Sequence, residues 1–139
     1  MEIAQDHNRR VWDERVRQGL LHTRTARDDE FADPLKAING WSWLDGGLDG
    51  KHVLCLAGGG GLQAPLYAAA GAKVTVVDIS PEMLEQDRRV ARERALELQT
   101  IAASMDDLPM LANASFDIVT QPVSTCYVPS LAKVYDEIA

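Results

Sequence analysis

Apolar and polar positions follow two different patterns along this chain. From Lys51 onward, short apolar runs rich in β-branched residues are separated by stretches with helical spacing. We predict four strands from these runs, over residues 53–56, 73–77, 98–102 and 116–123. Helices are predicted between them over residues 62–70 and from Ser80 to about Arg94, and after the last strand from Pro129. Strands that alternate with helices are typical of parallel βαβ units.

The first fifty residues predict helices without strands. Residues 3–19 carry an apolar stripe among many charges, as an amphipathic helix does: Ile3, Val11, Trp12 and Val16. Residues 22–33 are charged and lack periodicity, which predicts a loop. Asp33 and Pro34 then have the positions of an N-cap and a first-turn proline. The helix that they begin has an apolar face made of Leu35, Ile38 and Trp41.

Size and charge narrow the possible functions. The 139 residues suffice for one domain with a core, but not for a nucleotide-binding module plus a separate substrate domain. The 46% hydrophobic and 25% charged content is that of an average globular protein, and the apolar runs are too short to span a membrane. A net charge of −7 without a basic stripe would repel a phosphate backbone, so we expect no nucleic-acid partner. The N-terminus has no apolar signal region, which predicts a cytoplasmic protein.

The cysteines and histidines of this sequence do not indicate a metal site or a catalytic acid or base. Cys55 and Cys126 lie in apolar surroundings and lack the spacing of a zinc site or a redox pair. We expect both to be reduced thiols that pack as small hydrophobes, and we predict no metal site. His7 and His22 are candidate bases, but surface histidines are the commoner case, so no catalytic residue is assigned.

The pattern that carries chemistry is a glycine-rich turn followed by an acid. Residues 57–61 read Ala-Gly-Gly-Gly-Gly and connect the first predicted strand to the next helix. Without Cβ atoms a ligand can touch the backbone, and the start of the helix presents N–H groups. Asp78 ends the second strand, where a carboxylate can accept hydrogen bonds from both hydroxyls of a ribose. Because parallel strands end at one edge of a sheet, the two features predict a crevice for a nucleotide-like ligand.

Two tracts carry a family resemblance: VLCLAGGGGLQAPLYAAAGAKVTVVDISPEMLEQDRRVARERALELQTIAASMDDLP and SFDIVTQPVSTCYVP. In motif order and spacing, residues 51–139 resemble the front half of the class I S-adenosylmethionine-dependent methyltransferases. The resemblance implies an α/β, Rossmann-like three-layer sandwich with N-terminal helices. Its sheet would be partial, doubly wound and mostly parallel, with the strand order 3-2-1-4. The implied cofactor is S-adenosylmethionine, and the implied reaction is methyl transfer to a small-molecule acceptor.

The resemblance also implies which residues hold the cofactor. By family position these are Ala57, Gly58 and Gly59 for the methionine portion, Asp78 for the ribose, Ile79 and Met83 for adenine packing, Ser104 and Met105 for the adenine edge, and Gln121 for the sulfonium end. For Met83 and Met105, core packing is the alternative interpretation.

Three positions depart from the family pattern. Cys55 stands where the first strand usually has an acid, and Ala57 stands where the turn usually begins with glycine. Ser104 stands where an aspartate is usual, which weakens the contact to the adenine amino group or shifts it to Asp106. A solvated loop acid is the alternative interpretation of Asp106.

Two other functions stay open at this point. Gly59, Gly61 and Ala64 also satisfy the GxGxxA pattern of NAD(P)-binding oxidoreductases, with Asp78 about 20 residues further on. A phosphate-binding P-loop is excluded, because no Gly-Lys-Ser/Thr follows the glycines. The second alternative is a non-enzymatic remnant that binds a cofactor or a protein partner.

The length of the chain predicts how it assembles. Class I methyltransferases normally continue with three more strands, so we expect an N-terminal helical lid segment, residues 1–50, and a truncated cofactor-binding core, residues 51–139. The fourth strand would then be an exposed edge, beside a last helix with an unshared apolar face: Leu131, Val134, Tyr135 and Ile138. This predicts a homodimer through that strand and helix. The alternative is that the first helix folds back over the exposed surface.

Overall fold

A computed structural model describes residues 4–20, 23–39, 44, 46–121 and 130–139. Its elements, in chain order, are α1 (Ala4–Gln18), α2 (Asp28–Ala32), α3 (Pro34–Ile38), β1 (His52–Leu56), α4 (Gln63–Ala69), β2 (Lys73–Asp78), α5 (Pro81–Arg94), β3 (Leu98–Ala102), β4 (Ile118–Thr120) and α6 (Leu131–Ile138). Predictions that concern Ile3, His22, Trp41, Pro129 and Cys126 fall outside the described residues.

The four strands form one parallel sheet with the order β3-β2-β1-β4. Val53 of β1 pairs with Val74 of β2 on one side and with Ile118 of β4 on the other. The predicted strand order is confirmed. It places the carboxyl ends of the first three strands side by side, with the ends of β1 and β2 next to each other.

Alternate residues of β1 and β2 face opposite sides of the sheet, so two core clusters form. The first joins the sheet to α4 and α5 and contains Val53, Cys55, Ala64, Tyr67, Val74, Val76 and Leu84. The second joins it to α6 and contains Leu54, Leu56, Val77, Met105, Leu108 and Val134. Helices therefore cover both faces, and the three-layer α/β architecture is confirmed.

The last helix is better packed than its sequence predicts. Val134 is 0% exposed, and Ile138 packs against the second cluster. The backbone N–H of Leu108 donates to Glu137 Oε2 at 2.9 Å, which ties the loop after β3 to this helix. The prediction of a wholly unshared apolar face is wrong for these residues, whereas Leu131 and Tyr135 do remain exposed, by 38% and 53%.

The N-terminal segment also departs from prediction. A short helix, α2, occupies part of the predicted loop, because three acids in its first turn favour the positive helix end. Glu30 accepts a hydrogen bond from the backbone N–H of Arg27 at 3.0 Å and so closes this turn. Helix α1 packs against α5 and not over the edge of β4, within the part of the chain that is described. None of the described helices is long and apolar enough to cross a membrane.

Candidate functional site

A crevice of about 350 Å³ opens at the carboxyl edge of the sheet. The turn after β1, the end of β2 and the loop after β3 form its floor and its inner walls. Helix α1 and Arg24 form its outer wall. The volume falls in the range of small-molecule sites.

The glycine turn sets the shape of the floor. Its first residue, Ala57, has a φ of 50°, which is the left-handed region that favours glycine. A Cβ atom on Gly59 would lie 2.9 Å from Asp78 Oδ2 and 2.9 Å from the Cβ of Met83. The turn therefore packs directly on the end of β2 and the start of α5, which requires glycine at position 59.

Asp78 is the acid at the centre of the crevice. One of its oxygens accepts the N–H of Gly59 at 3.0 Å, and the other accepts the N–H of Ser80 at 2.9 Å. Burial raises its pKa, while those N–H groups work in the opposite direction. A carboxylate offers about four acceptor positions, so the backbone N–H groups do not use all of its capacity. The hydroxyls of a ribose are donors that suit what remains.

A second acid, Asp87, lies beneath the turn and escaped the sequence analysis. It is 0% exposed and accepts the N–H groups of Gly60 at 3.2 Å and Gly61 at 2.8 Å. Burial raises its pKa to about 7. The sequence does contain a signal, because position 87 lies on the helix face that Met83, Leu84, Val90 and Ala91 bury. An acid in that stripe needs a partner, and the partner is the turn.

The four residues that the resemblance assigns to adenine packing and to the adenine edge lie together in the structure, whereas Gln121, assigned to the sulfonium end, does not join them. Ile79, Met83, Ser104 and Met105 all line the crevice. Gln121 does not lie among the lining residues, because its amide is directed to the sulfur of Met105, at 3.3 Å.

Asp106 lies one layer behind this wall. Its carboxylate accepts a hydrogen bond from Ser104 Oγ at 2.5 Å and one from Gln5 Nε2 at 3.4 Å. It is itself absent from the described lining of the crevice. Ser104 and Gln5 are thus held in place by an acid behind them.

Helix α1 closes the outer side of the crevice. Gln5, Asn8 and Trp12 line it. Asp13 fixes the helix, since its Oδ1 accepts hydrogen bonds from Ser80 Oγ at 2.5 Å and from the N–H of Glu82 at 3.3 Å. Sequence reasoning predicted the amphipathic helix and a lid segment over residues 1–50, but not which residues of the helix line the crevice.

Arg24 was also missed. It is the sole cation among the described residues that line the crevice. Its guanidinium donates to Glu30 Oε1 at 2.8 Å, which holds the pKa of Glu30 below its usual range. The next two residues fix its place beside the turn, because the N–H of Ala26 donates to the carbonyl of Gly61 at 2.8 Å. The crevice therefore has a cation near the glycines and an anion at the end of β2.

Two other candidate groups lie away from the crevice. Burial raises the pKa of the Cys55 thiol to about 12, so this thiol stays protonated and inert at neutral pH. His7 is on α1 but does not line the crevice. No group of three or more potential metal ligands occurs within the ranges that the structure covers.

The parallel sheet, the glycine turn after β1 and the buried acid ending β2 are together typical of α/β proteins with a site for a nucleotide-like cofactor. Residues 54–139 match the family model described as "Methyltransferase domain". The chain belongs to this methyltransferase family.

Individual relatives agree. Over 142 aligned residues the chain is 36% identical to the uncharacterized methyltransferase YbaJ of Bacillus subtilis, covering 94% of this chain and 55% of that protein. Over 112 residues it is 33% identical to the ubiquinone biosynthesis O-methyltransferase of Bordetella pertussis, covering 77% of this chain and 46% of that protein. The chain thus spans about half the length of the curated relatives it matches.

Solved structures show the same fold. Geranyl diphosphate C-methyltransferase from Streptomyces coelicolor, in complex with Mg²⁺, geranyl diphosphate and S-adenosyl-L-homocysteine, superposes with a TM-score of 0.73. The sequence identity is 18%, and the match covers 99% of this chain and 60% of that one. This likeness extends to all the layers of the fold and carries no information about the substrate.

Proposed function

We propose that this chain binds S-adenosylmethionine in the crevice and serves the transfer of its methyl group to a small-molecule acceptor. The observation that carries the proposal is Asp78, a buried carboxylate with acceptor capacity to spare, next to the glycine turn. Family membership supports the proposal independently of this geometry.

The charges of the crevice match the two ends of this cofactor. A carboxylate at the methionine end suits Arg24, beside the turn, and the ribose hydroxyls suit Asp78. The adenine ring is a flat apolar group of the kind that packs between Ile79 and Met83, with Ser104 at its edge. With Ala57, Gly58 and Gly59 at the methionine portion and Met105 beside Ser104, the assignment uses all the predicted site residues except Gln121, for which we propose no contact.

The chemistry requires little covalent participation from the protein. Bound S-adenosylmethionine supplies an activated methyl group that a nucleophile attacks in line with the sulfur. The residues of the crevice would orient the cofactor and exclude water, which are large contributions to the rate of such a reaction. We propose that residues 1–50 act as the lid, with α1 over the core formed by residues 51–139, and we assign no catalytic base.

The geometry also argues against the NAD(P)-binding alternative. In the dinucleotide pattern, N–H groups at the glycine turn face a pyrophosphate. Here the N–H groups of Gly60 and Gly61 already donate to Asp87, on the side of α5. A pyrophosphate would have to displace a buried carboxylate.

A transfer assay separates an enzyme from a cofactor-binding remnant. Purified protein would be incubated with methyl-labelled S-adenosylmethionine and a panel of phenolic, amine, thiol and carboxylate acceptors. We expect label to pass to at least one acceptor class, and much less to pass with Asp78→Asn when the cofactor concentration lies below the dissociation constant of the wild type. Cofactor binding without transfer to any acceptor would favour the alternative of a non-enzymatic, cofactor-binding remnant.

Arg24 gives a prediction about one end of the cofactor. Arg24→Gln should weaken binding of S-adenosylhomocysteine by roughly fivefold, a small effect because the side chain is half exposed. Binding of 5′-methylthioadenosine, which has no carboxylate, should be unchanged. Arg17→Gln is the matched control, since Arg17 pairs with Glu14 and does not line the crevice. Equal losses for both ligands would contradict the assignment.

We also propose a homodimer through the edge of β4 and helix α6. Among the described strands, β4 pairs with β1 on one side only, and Leu131 and Tyr135 remain exposed nearby on α6. A two-fold arrangement would cover both with one self-complementary patch. A cytoplasmic location stays a prediction, checked by fractionation.

Light scattering across a dilution series tests the dimer. We expect twice the chain mass at micromolar concentration and a return to the monomer mass for Tyr135→Glu. Leu20→Glu, an exposed apolar residue beyond α1, is the control and should leave the mass unchanged. A monomer at all concentrations would rule out assembly through this edge.

A further inference from the structure

Asp87 is a buried acid with no place in the crevice and no role in the chemistry described so far. It lies in the middle of α5 at 0% exposure. An isolated buried carboxylate is costly, and a residue chosen only for packing would be apolar here. Its two oxygens bond two successive N–H groups of the glycine turn.

The turn needs such an anchor for a geometric reason. Gly60 and Gly61 have φ values of 119° and 78°, and glycine is the residue with the most conformational freedom to lose. Four hydrogen bonds hold this part of the turn. The N–H of Gly60 donates to the carbonyl of Met83 and to Asp87, the N–H of Gly61 donates to Asp87, and the carbonyl of Gly61 accepts from Ala26. The carboxylate contributes the charge-assisted bonds among these.

We propose that Asp87 is a positioning residue whose ionised carboxylate holds Gly60 and Gly61 so that the adjoining turn fits the methionine portion of the cofactor. The inference rests on the proposed function, and it makes affinity for that portion depend on the protonation state of Asp87. The carboxylate never touches the cofactor. Its effect passes through two backbone N–H groups.

The charges around Asp87 favour titration near neutral pH. Burial raises its pKa to about 7 against the opposing effect of the two glycine N–H groups. Asp78 at the end of β2 raises it further, and Arg88 on α5 lowers it. Cys55 on β1 also faces it, and that thiol stays neutral because its own pKa is about 12.

Stability and affinity should respond to pH in opposite directions at this residue. Because the folded-state pKa lies above the ordinary aspartate value, the contribution of Asp87 to stability is lost as pH rises from about 4 to about 7. Ionisation in the folded protein, which is centred near pH 7, strengthens its bonds to the turn. A carboxylate with a purely structural role would not improve cofactor binding while it destabilises the fold.

The first test needs no cofactor. In the free wild-type protein, the amide proton resonances of Gly60 and Gly61 should shift together with a midpoint near pH 7 in an NMR titration. The Asp87→Asn variant should abolish that midpoint, whereas Glu93→Gln, which changes an exposed acid on the same helix, should keep it. Amide resonances that do not titrate between pH 5 and 9, or that titrate equally in Asp87→Asn, would overturn the proposal.

The second test separates positioning from general destabilisation. At pH 8, Asp87→Asn should lower the affinity for S-adenosylhomocysteine by roughly tenfold, as expected for the loss of a charge-assisted bond. The affinity for 5′-methylthioadenosine should fall by less than twofold. Equal weakening of the two ligands would assign Asp87 a structural role and overturn the proposal. If the wild type binds neither ligand, the proposed function fails, while the amide titration still decides whether Asp87 anchors the turn.

Discussion

Gly59→Ala should nearly abolish cofactor binding while the protein still folds. The added methyl group would lie 2.9 Å from both Asp78 Oδ2 and Met83 Cβ, closer than real Cβ contacts come. The acid or the start of α5 would have to move, and both belong to the crevice. Inserting a methyl group into a packed site typically costs about 1–3 kcal/mol, and at the upper end this corresponds to roughly 100-fold in affinity.

The chain offers a matched control for this substitution. Gly47 has open space around the position of its Cβ and no positive φ, so Gly47→Ala adds the same methyl group without a clash. Affinity for S-adenosylhomocysteine and the melting temperature would be measured for both variants. An affinity for Gly59→Ala within twofold of the wild type would show that the ligand does not use this turn.

Asp78→Asn should weaken the binding of the cofactor by about 1.5–3 kcal/mol, which corresponds to roughly 10- to 150-fold in affinity. Asparagine keeps one acceptor oxygen but turns an NH₂ group toward one of the two N–H groups that the carboxylate now binds, those of Gly59 and Ser80. It therefore removes acceptor capacity both for the turn and for the ribose.

The same measurement on Asp136→Asn, an exposed acid on α6, controls for the change in net charge. A ligand without ribose hydroxyls, such as the 2′,3′-dideoxy analogue of S-adenosylhomocysteine, should bind wild type and Asp78→Asn with a much smaller difference. Full loss of the deoxy ligand as well would mean that Asp78 acts through the turn and not through the ribose.

The sheet could be predicted because its signals are local. β-Branched runs specify β1 and β2, the glycines after β1 mark the turn, and Asp78 follows directly at the end of a strand. Strand order then follows from the preference of consecutive βαβ units to lie side by side. The main error in the strands is the length of β4, whose described part, Ile118–Thr120, is shorter than the predicted 116–123.

The site residues that the sequence did not predict owe their positions to contacts between distant parts of the chain. Asp87 reaches residues 26 and 27 positions earlier, and nothing local distinguishes it from a solvated helix acid except its place in the apolar stripe. Arg24 lines the crevice because Ala26 bonds to Gly61, a pairing that no short motif encodes. The absence of Gln121 from the lining likewise could not be predicted, because its amide contacts Met105, which lies 16 positions earlier.

Calorimetric titration of the purified protein decides whether the crevice binds S-adenosylmethionine. S-adenosylmethionine and S-adenosylhomocysteine should each bind with one site per chain and a heat that disappears in Gly59→Ala, whereas NAD⁺ should produce no binding heat. Absence of binding by both sulfur compounds at millimolar concentration, or saturable binding of NAD⁺ in their place, would show that the crevice is not a site for S-adenosylmethionine.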